Sequence, residues 1–473
     1  MPEQTIVPEF DADLIRRYRR SLPRYTSYPT APHFSEDVGA TEYVDEVDRT
    51  NREGDGGPIS LYVHLPFCRS LCYYCGCHMM VRSRPETVEG YLARLEREID
   101  LLAARVHGDR EVVQLHWGGG TPTYLTPAQI ERLGGHLRRR FRIADDAEVS
   151  LEADPRGLTT EHLEAARSVG FNRLSLGVQD LDPDVQSAIH RVQPESIVRD
   201  ALEGARSSGF SSVNLDLVYG LPHQSVNRFR HTLDAVLDMA PERIALFSYA
   251  HVPSVKKHQR LISEDALPEP EEKMRIFASA VETLTDPGAA GGGYRFIGLD
   301  HFARPKDELA RAQDDGTLYR NFQGYSTRAG ADVYAFGISG IHQLRRLYAQ
   351  NVKGLAEYRE RVDSKRHPVY RGYLLSDDDE IRRQAIMELM CNLRLDKPVM
   401  EKHFGIDFDA YFSDTLERLR PLADDGLIEL LPSILRVLPP GRFLLRNIAA
   451  AFDAYLARDA AGTTARPTYS QTV

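Results

Sequence analysis

The sequence predicts an α/β fold: an open, partial (β/α)6 barrel of the TIM type, with an N-terminal arm and a mainly helical C-terminal domain. Two observations carry this expectation. From Ile59 onward, short apolar strands alternate with amphipathic helical patterns, the signature of βαβ units on a parallel sheet with right-handed crossovers. Polar residues also fall in register: Gly119, Glu152, Gln179, Asp216 and Ala250 each lie at or just past the C-terminal end of a strand. That edge is where barrels of this kind build their sites.

Residues 1–57 form no obvious module and are read as an arm and linker, with a short helix around Ile15 and a polar, Gly-rich end at 52–57. The segment 23–30, PRYTSYPT, carries Arg24, Tyr25, Thr26 and Tyr28 without hydrophobic periodicity. It is expected to act as a lid over a ligand, because a strap would be expected to carry more aliphatic anchors. Residues 58–365 hold the barrel and an extension, and 366–473 the C-terminal domain. The strands are expected at 61–65, 112–117, 148–152, 173–177, 213–217 and 244–249. Between the first two, Val88, Tyr91, Leu92, Leu95, Ile99 and Leu102 fall on one helical face, and a second helix runs to Phe141. Helices are expected again at 267–285, 379–392 and 408–424. A strand at 426–430 after the last of these suggests a winged-helix shape. The run DPGAAGGG at 286–293 reads as a flexible loop, and the residues from about Asp459 as a disordered tail.

Bulk properties narrow the function. With 42% hydrophobic and 27% charged residues among 473, the composition is that of a globular protein with a sizeable core. No apolar run approaches the roughly 20 residues of a membrane span. The opening MPEQTIVPEF lacks the apolar region of a signal peptide, so a cytoplasmic protein is expected. A net charge of −10 argues against a nucleic-acid partner, which demands a basic face. A locally basic pocket for an anionic small molecule remains compatible with it.

The chemistry concentrates in LYVHLPFCRSLCYYCGCH, residues 61–78, where Cys68, Cys72, Cys75 and Cys77 share one loop and only Cys391 lies elsewhere. Three thiolates at C-x3-C-x2-C spacing suit an iron–sulfur cubane held at three corners, which leaves one iron open for chemistry. Zinc is the alternative, but it favours four ligands in two separated pairs, and no second pair exists. Disulfides fit an oxidising compartment poorly matched to this chain. The triplet Gly118-Gly119-Gly120 lacks the GK[ST] ending of a phosphate-binding loop and by itself says only that backbone comes close to something.

The C-x3-C-x2-C loop after a first strand resembles the signature of radical S-adenosylmethionine (SAM) enzymes. With Tyr62, Tyr73-Tyr74, the extra Cys77 and the PRYTSYPT segment, the chain from Pro23 to about Tyr455 looks like the oxygen-independent coproporphyrinogen III oxidases among them. The resemblance implies the following. The barrel is of the radical SAM class. Cys68, Cys72 and Cys75 ligate a [4Fe-4S] cluster, and Cys77 does not. Tyr62, Gly119 and Glu152 hold a cluster-bound SAM. Tyr74, Gly120, Thr121, Gln179, Arg191, Asp216, Ala250 and Ile341 surround a second SAM, making two per chain. The substrate is coproporphyrinogen III, two of whose propionates become vinyl groups through a 5′-deoxyadenosyl radical, giving protoporphyrinogen IX in haem biosynthesis. An electron donor and a terminal electron acceptor are required, neither named by the sequence, and a monomer is expected. Arg24, Arg304 and Arg320 are candidate donors to the substrate carboxylates, and a flat tetrapyrrole suits the aromatic, basic arm. The run at 286–293 looks like an insertion relative to the family. The rivals are another radical SAM protein, a haem-carrying paralogue lacking the activity, and a zinc or cluster module that regulates DNA. Cys77 and Arg191 favour the oxidase over the paralogue.

Overall fold

The computed structural model describes residues 10–52, 57–289, 293–456 and 469. The tail from Asp459 lies outside them apart from Tyr469, as do most of the Gly-rich linker and the centre of the loop at 286–293. The chain divides into two compact units. One comprises Phe34–Ile276 and Gly330–Leu374; the other comprises Met1–His33, Phe277–Ala329 and Leu375–Val473. These units are discontinuous along the chain, whereas the three segments expected from the sequence are consecutive.

The first unit holds six parallel strands in sequential order: β1 Ile59–Leu65, β2 Glu111–Gly119, β3 Arg142–Ala153, β4 Arg173–Gln179, β5 Ser212–Tyr219 and β6 Arg243–Ser248. The expected partial barrel is therefore present. Helices Pro85–Ala103, Pro127–Arg140, Thr160–Ser168, Glu195–Ser207 and Val226–Met239 form the crossovers. Pro127–Arg140 starts on a capping box, in which Thr126 and Gln129 each bond the other's backbone N–H. Every second residue of these strands is a buried apolar one: Ile59, Leu61, Val63 and Leu65 on β1, and Leu115, Trp117, Leu174, Leu176, Val213 and Leu215 on its neighbours. The residues between them, among them His116, Glu152, Ser175, Asn214 and Asp216, are polar and lie on the opposite face.

The sheet also grows past β1, which the sequence reading did not anticipate. Strand β7, Asp332–Phe336, pairs parallel to β1, and β8 Ile341–Gln343, β9 Leu347–Asn351 and β10 Val369–Leu374 follow antiparallel. Buried Glu98 pins helix Pro85–Ala103 to this extension. It accepts hydrogen bonds from Gly337 N at 2.8 Å, Asn351 Nδ2 at 2.8 Å and Tyr358 Oη at 2.7 Å.

The second unit includes the arm and the C-terminal helices. Helix Asp377–Asn392 leads into strand Arg394–Asp396, and after helices Lys397–Phe404, Phe408–Tyr411 and Ser413–Asp424 the strands Ile428–Leu430 and Ile434–Val437 complete a three-stranded antiparallel sheet with it. The arm's aromatic side chains do not face outward. Tyr25 and Tyr28 are fully buried, Tyr25 Oη donates to Asp453 at 3.0 Å, and Tyr28 packs edge-on against Tyr455. Arg446 donates to the carbonyls of Leu22 and Pro23. The expectation that these rings wait for a ligand is corrected: aromatic burial replaces the aliphatic anchors whose absence prompted it.

Candidate functional site

Strand β1 delivers the chain into the cysteine loop, and short strands Phe67–Cys68 and Met80–Val81 close it by pairing in parallel. Inside, Cys75 N bonds the Cys72 carbonyl in a turn at 3.2 Å, and Arg82 N bonds the Cys68 carbonyl at 2.9 Å. Other carbonyls of the loop are held from outside. Leu71 O accepts from His190 Nδ1, Tyr74 O from Gln259 Nε2, Cys75 O from His258 Nε2 and Cys77 O from Lys256 Nζ, at 2.7, 3.0, 2.7 and 3.1 Å. Tyr73 stacks on His190 with ring centroids 4.9 Å apart. Tyr74 packs on the apolar cluster of Val185, Ile189, Leu221 and Tyr249.

The four sulfurs differ in surroundings. Cys72 is buried, Cys68 and Cys75 are half-buried, and Cys77 is exposed. The Cys72 sulfur accepts from Arg191 Nη1 at 3.5 Å and Arg156 Nη2 at 3.8 Å. Burial pushes the Cys68 thiol up to about 11. The hydrogen bond with Cys77 is the main cause that brings Cys75 down to about 6, and the same bond pushes Cys77 well above its usual value. Among the described residues, no three His, Cys, Asp or Glu side chains converge on a single ion. The donor set fits a larger group, held by soft thiolates at three corners.

Beside the sulfurs, the Gly triplet at the end of β2 lies where backbone must approach closely. Gly119 has φ +113°, and a Cβ there would sit 2.5 Å from His64 Cε1; at Gly120 it would sit 2.6 Å from the Pro66 carbonyl carbon. Gly120 N and Thr121 N bond Leu65 O and Phe67 O at 2.9 and 2.8 Å, and Thr121 Oγ1 is 3.6 Å from the Cys68 sulfur. Glu152 on β3 accepts from Gly119 N at 3.2 Å and from His116 Nε2 at 3.3 Å. With Nε2 protonated, His116 Nδ1 accepts from Ser150 Oγ at 2.7 Å. Tyr62 stacks on His116 and donates to His64 Nδ1 at 3.1 Å. His64 in turn bonds His78 O, and burial keeps it neutral by lowering its pKa to about 4.

A second group lies further along the strand ends. Buried Arg191 donates to Asp154 Oδ2 at 3.1 Å and Gly177 O at 2.6 Å, and its Nε has no partner. Gln179 ends β4 with φ +69°. Asp216 on β5 accepts from Ser175 Oγ and Asn214 Nδ2 at 2.9 and 2.7 Å. Burial, and then the Glu152 charge, push its carboxyl up to about 7. Ala250 follows β6, its carbonyl bonded by Gln259. Ile341 opens β8, on the far side of β1 from the other strand ends. The sequence reading missed Asp154, Arg156, His64 and His116. Asp154 and Arg156 stand two and four residues beyond Glu152, a pattern that marks one strand end and was readable. A cavity of about 190 Å³ opens between Arg69, Thr121, Thr123, Asp154 and Arg156, with buried Thr123 Oγ1 unpartnered in it.

The candidate carboxylate donors lie in the second unit, and buried Arg320 keeps its Nε and Nη1 without a hydrogen-bond partner. Arg24 pairs with buried Asp300, Arg304 lies 4.1 Å from the centre of the Tyr294 ring, and buried Arg320 lies 4.8 Å from that of Tyr325.

Comparison with known proteins now has a site to attach to. Residues 62–236 match the radical SAM superfamily, and 375–444 match the HemN C-terminal domain. The oxygen-independent coproporphyrinogen III oxidase of Escherichia coli is 45% identical over 96% of this chain and 97% of its own length. The chain belongs to the oxygen-independent coproporphyrinogen III oxidase family. The oxidase of the same name from Pseudomonas aeruginosa is 43% identical over 94% of this chain and 96% of its own. A solved structure described as coproporphyrinogen III oxidase (HemN) from Escherichia coli, a radical SAM enzyme, superposes with a TM-score of 0.89. It is 44% identical, covering 95% of this chain and 100% of that one. Membership in this radical SAM oxidase family implies a [4Fe-4S] cluster and SAM, which the thiolates of Cys68, Cys72 and Cys75 fit. Among the described residues no helix is long and apolar enough to cross a membrane.

Proposed function

We propose that this chain converts coproporphyrinogen III to protoporphyrinogen IX without oxygen, in haem biosynthesis in the cytoplasm. Each of two propionates loses CO₂, one hydrogen atom and one electron and becomes a vinyl group. The observation that carries the reading is the joining of two half-sites: the cysteine loop, with its Cys72 sulfur faced by Arg191 and Arg156, and the Gly119–Glu152 contact. Bound there, cluster and SAM supply a 5′-deoxyadenosyl radical that takes the hydrogen.

Cys68, Cys72 and Cys75 hold the cluster, and Cys77 stays outside the ligand set. Tyr62, Gly119 and Glu152 hold the first SAM. Glu152 suits an ammonium or hydroxyl donor, and His116 and Gly119 N keep its carboxylate aimed. Tyr74, Gly120, Thr121, Gln179, Arg191, Asp216, Ala250 and Ile341 hold a second SAM. The unpartnered Arg191 Nε is a donor for its carboxylate, and Asp216 accepts a proton or a cation. The buried strands exclude water, which a radical of this reactivity requires.

The test is anaerobic reconstitution with iron, sulfide and SAM, then a count of SAM bound per chain and assay of product with a chemical reductant. Two SAM per chain and formation of protoporphyrinogen IX are expected. One SAM, with full turnover, would remove the second-site assignment.

A further inference from the structure

The segment after β6 is chemically unlike the rest of the chain. Residues 243–263 contain no Asp or Glu, although the protein has 69 acidic residues and a net charge of −10. The same stretch carries Lys256, Lys257 and Arg260, and beside them in sequence the exposed apolar side chains of Val255 at 72% and Leu261 at 59%. Lys257 and Arg260 are exposed. None of Lys256, Lys257, Arg260 and Lys353 forms an ion pair with a carboxylate among the described residues. The nearest acid along the chain, Glu264, is taken up by His251 at 3.2 Å.

This patch is wired to the cysteine loop. Lys256 and His258 bond the carbonyls of Cys77 and Cys75, and Gln259 bonds that of Tyr74. From a separate segment, the Lys353 carbonyl accepts from His78 at 2.9 Å. Lys353 lies close enough to the other cations to feel them: burial first, then Arg371 and Lys256, hold its ammonium below the usual range. Like charges gathered without counter-charges oppose folding and are commonly retained where a partner of opposite sign meets them.

The geometry points to Lys256, Lys257, Arg260 and Lys353, with Val255 and Leu261, as the docking surface for a small acidic one-electron carrier protein that holds flavin or an iron–sulfur centre. The step is a single electron transfer: the reduced carrier loses one electron, and the cluster held by Cys68, Cys72 and Cys75 gains it. The basic residues steer the acidic face, and the two apolar side chains give the contact a dry centre. This inference rests on the cluster assignment proposed above. It adds where the electron enters.

The probe is a reduced acidic flavodoxin, mixed by stopped flow with reconstituted holoenzyme, reading the loss of cluster absorbance. The variant Lys257→Glu/Arg260→Glu changes two exposed side chains that hold no loop carbonyl. In wild type the rate should fall as salt rises. In the variant, binding and reduction by flavodoxin should fall on the order of tenfold to a hundredfold at low salt. Reduction by dithionite, a small anion, should change no more than about twofold. Equal flavodoxin rates in the two proteins would overturn the proposal, as would loss of coproporphyrinogen affinity with flavodoxin unaffected, which would assign the patch to the anionic substrate. A wild-type protein that assembles no cluster would instead remove the functional reading, so the two failures are distinguishable.

Discussion

At the scale of single residues, the account depends on four cysteines in one loop being unequal. Cys68, Cys72 and Cys75 are buried or half-buried, with two arginines against the Cys72 sulfur, and Cys77 is exposed. Replacing any of the first three with Ser should abolish iron binding, because an alcohol is a poor substitute for thiolate. Cys77→Ser should keep the iron, measured as iron per chain after reconstitution. Equal loss in all four variants would contradict the three-ligand arrangement. Asp216 offers a second prediction, with a definite sign. Its folded-state pKa of about 7 lies above the ordinary 3.8, so the native state holds the proton more tightly than the unfolded chain. The cost of ionising it is absent below pH 4, grows as pH rises, and is complete above pH 7. In the cofactor-free protein, Asp216→Asn should therefore gain stability relative to wild type as pH rises from 4 to 7, by about 4 kcal/mol at most. A gap that does not move with pH would contradict the buried, proton-holding environment. Of these residues, Cys68, Glu152 and Asp216 were legible because each sits on a strand end with a distinctive side chain. His116 was not singled out, because its role comes from its contact with the Glu152 carboxylate on the next strand.

At the scale of elements, strand-helix alternation exposed all six strands of the parallel set, because each is short, apolar and separated by a helix of its own. Strand β7 escaped notice: Asp332–Phe336 pairs with β1, some 270 residues away in sequence, and no local periodicity reports such a contact. Glu98 joins helix Pro85–Ala103 to that extension through three hydrogen bonds. Glu98→Ala should destabilise the first unit by about 2–4 kcal/mol, since three buried donors lose their acceptor; denaturant melts would show it. The arm was misread for a different reason. Tyr25 and Tyr28 carry a polar atom each, which suggested a ligand, yet both hydroxyls are satisfied inside the second unit by Asp453 and Ala454. Tyr28→Ala should cost about 3–5 kcal/mol, as loss of a large buried ring does. A variant that melts like wild type but loses turnover would restore the lid.

At the scale of the whole molecule, family membership covers nearly the full chain, and the loop, the Gly triplet and the strand-end carboxylates meet within one unit. Cluster, SAM and substrate radical chemistry are therefore proposed for a single connected site. The most direct test combines them in one reaction on reconstituted protein: coproporphyrinogen III, SAM and a low-potential reductant without oxygen, with products followed over time. The account expects protoporphyrinogen IX, CO₂ and 5′-deoxyadenosine to appear together, and none of them in the Cys72→Ser variant. Cleavage of SAM in the iron-loaded wild type with no loss of CO₂ from the tetrapyrrole would contradict it.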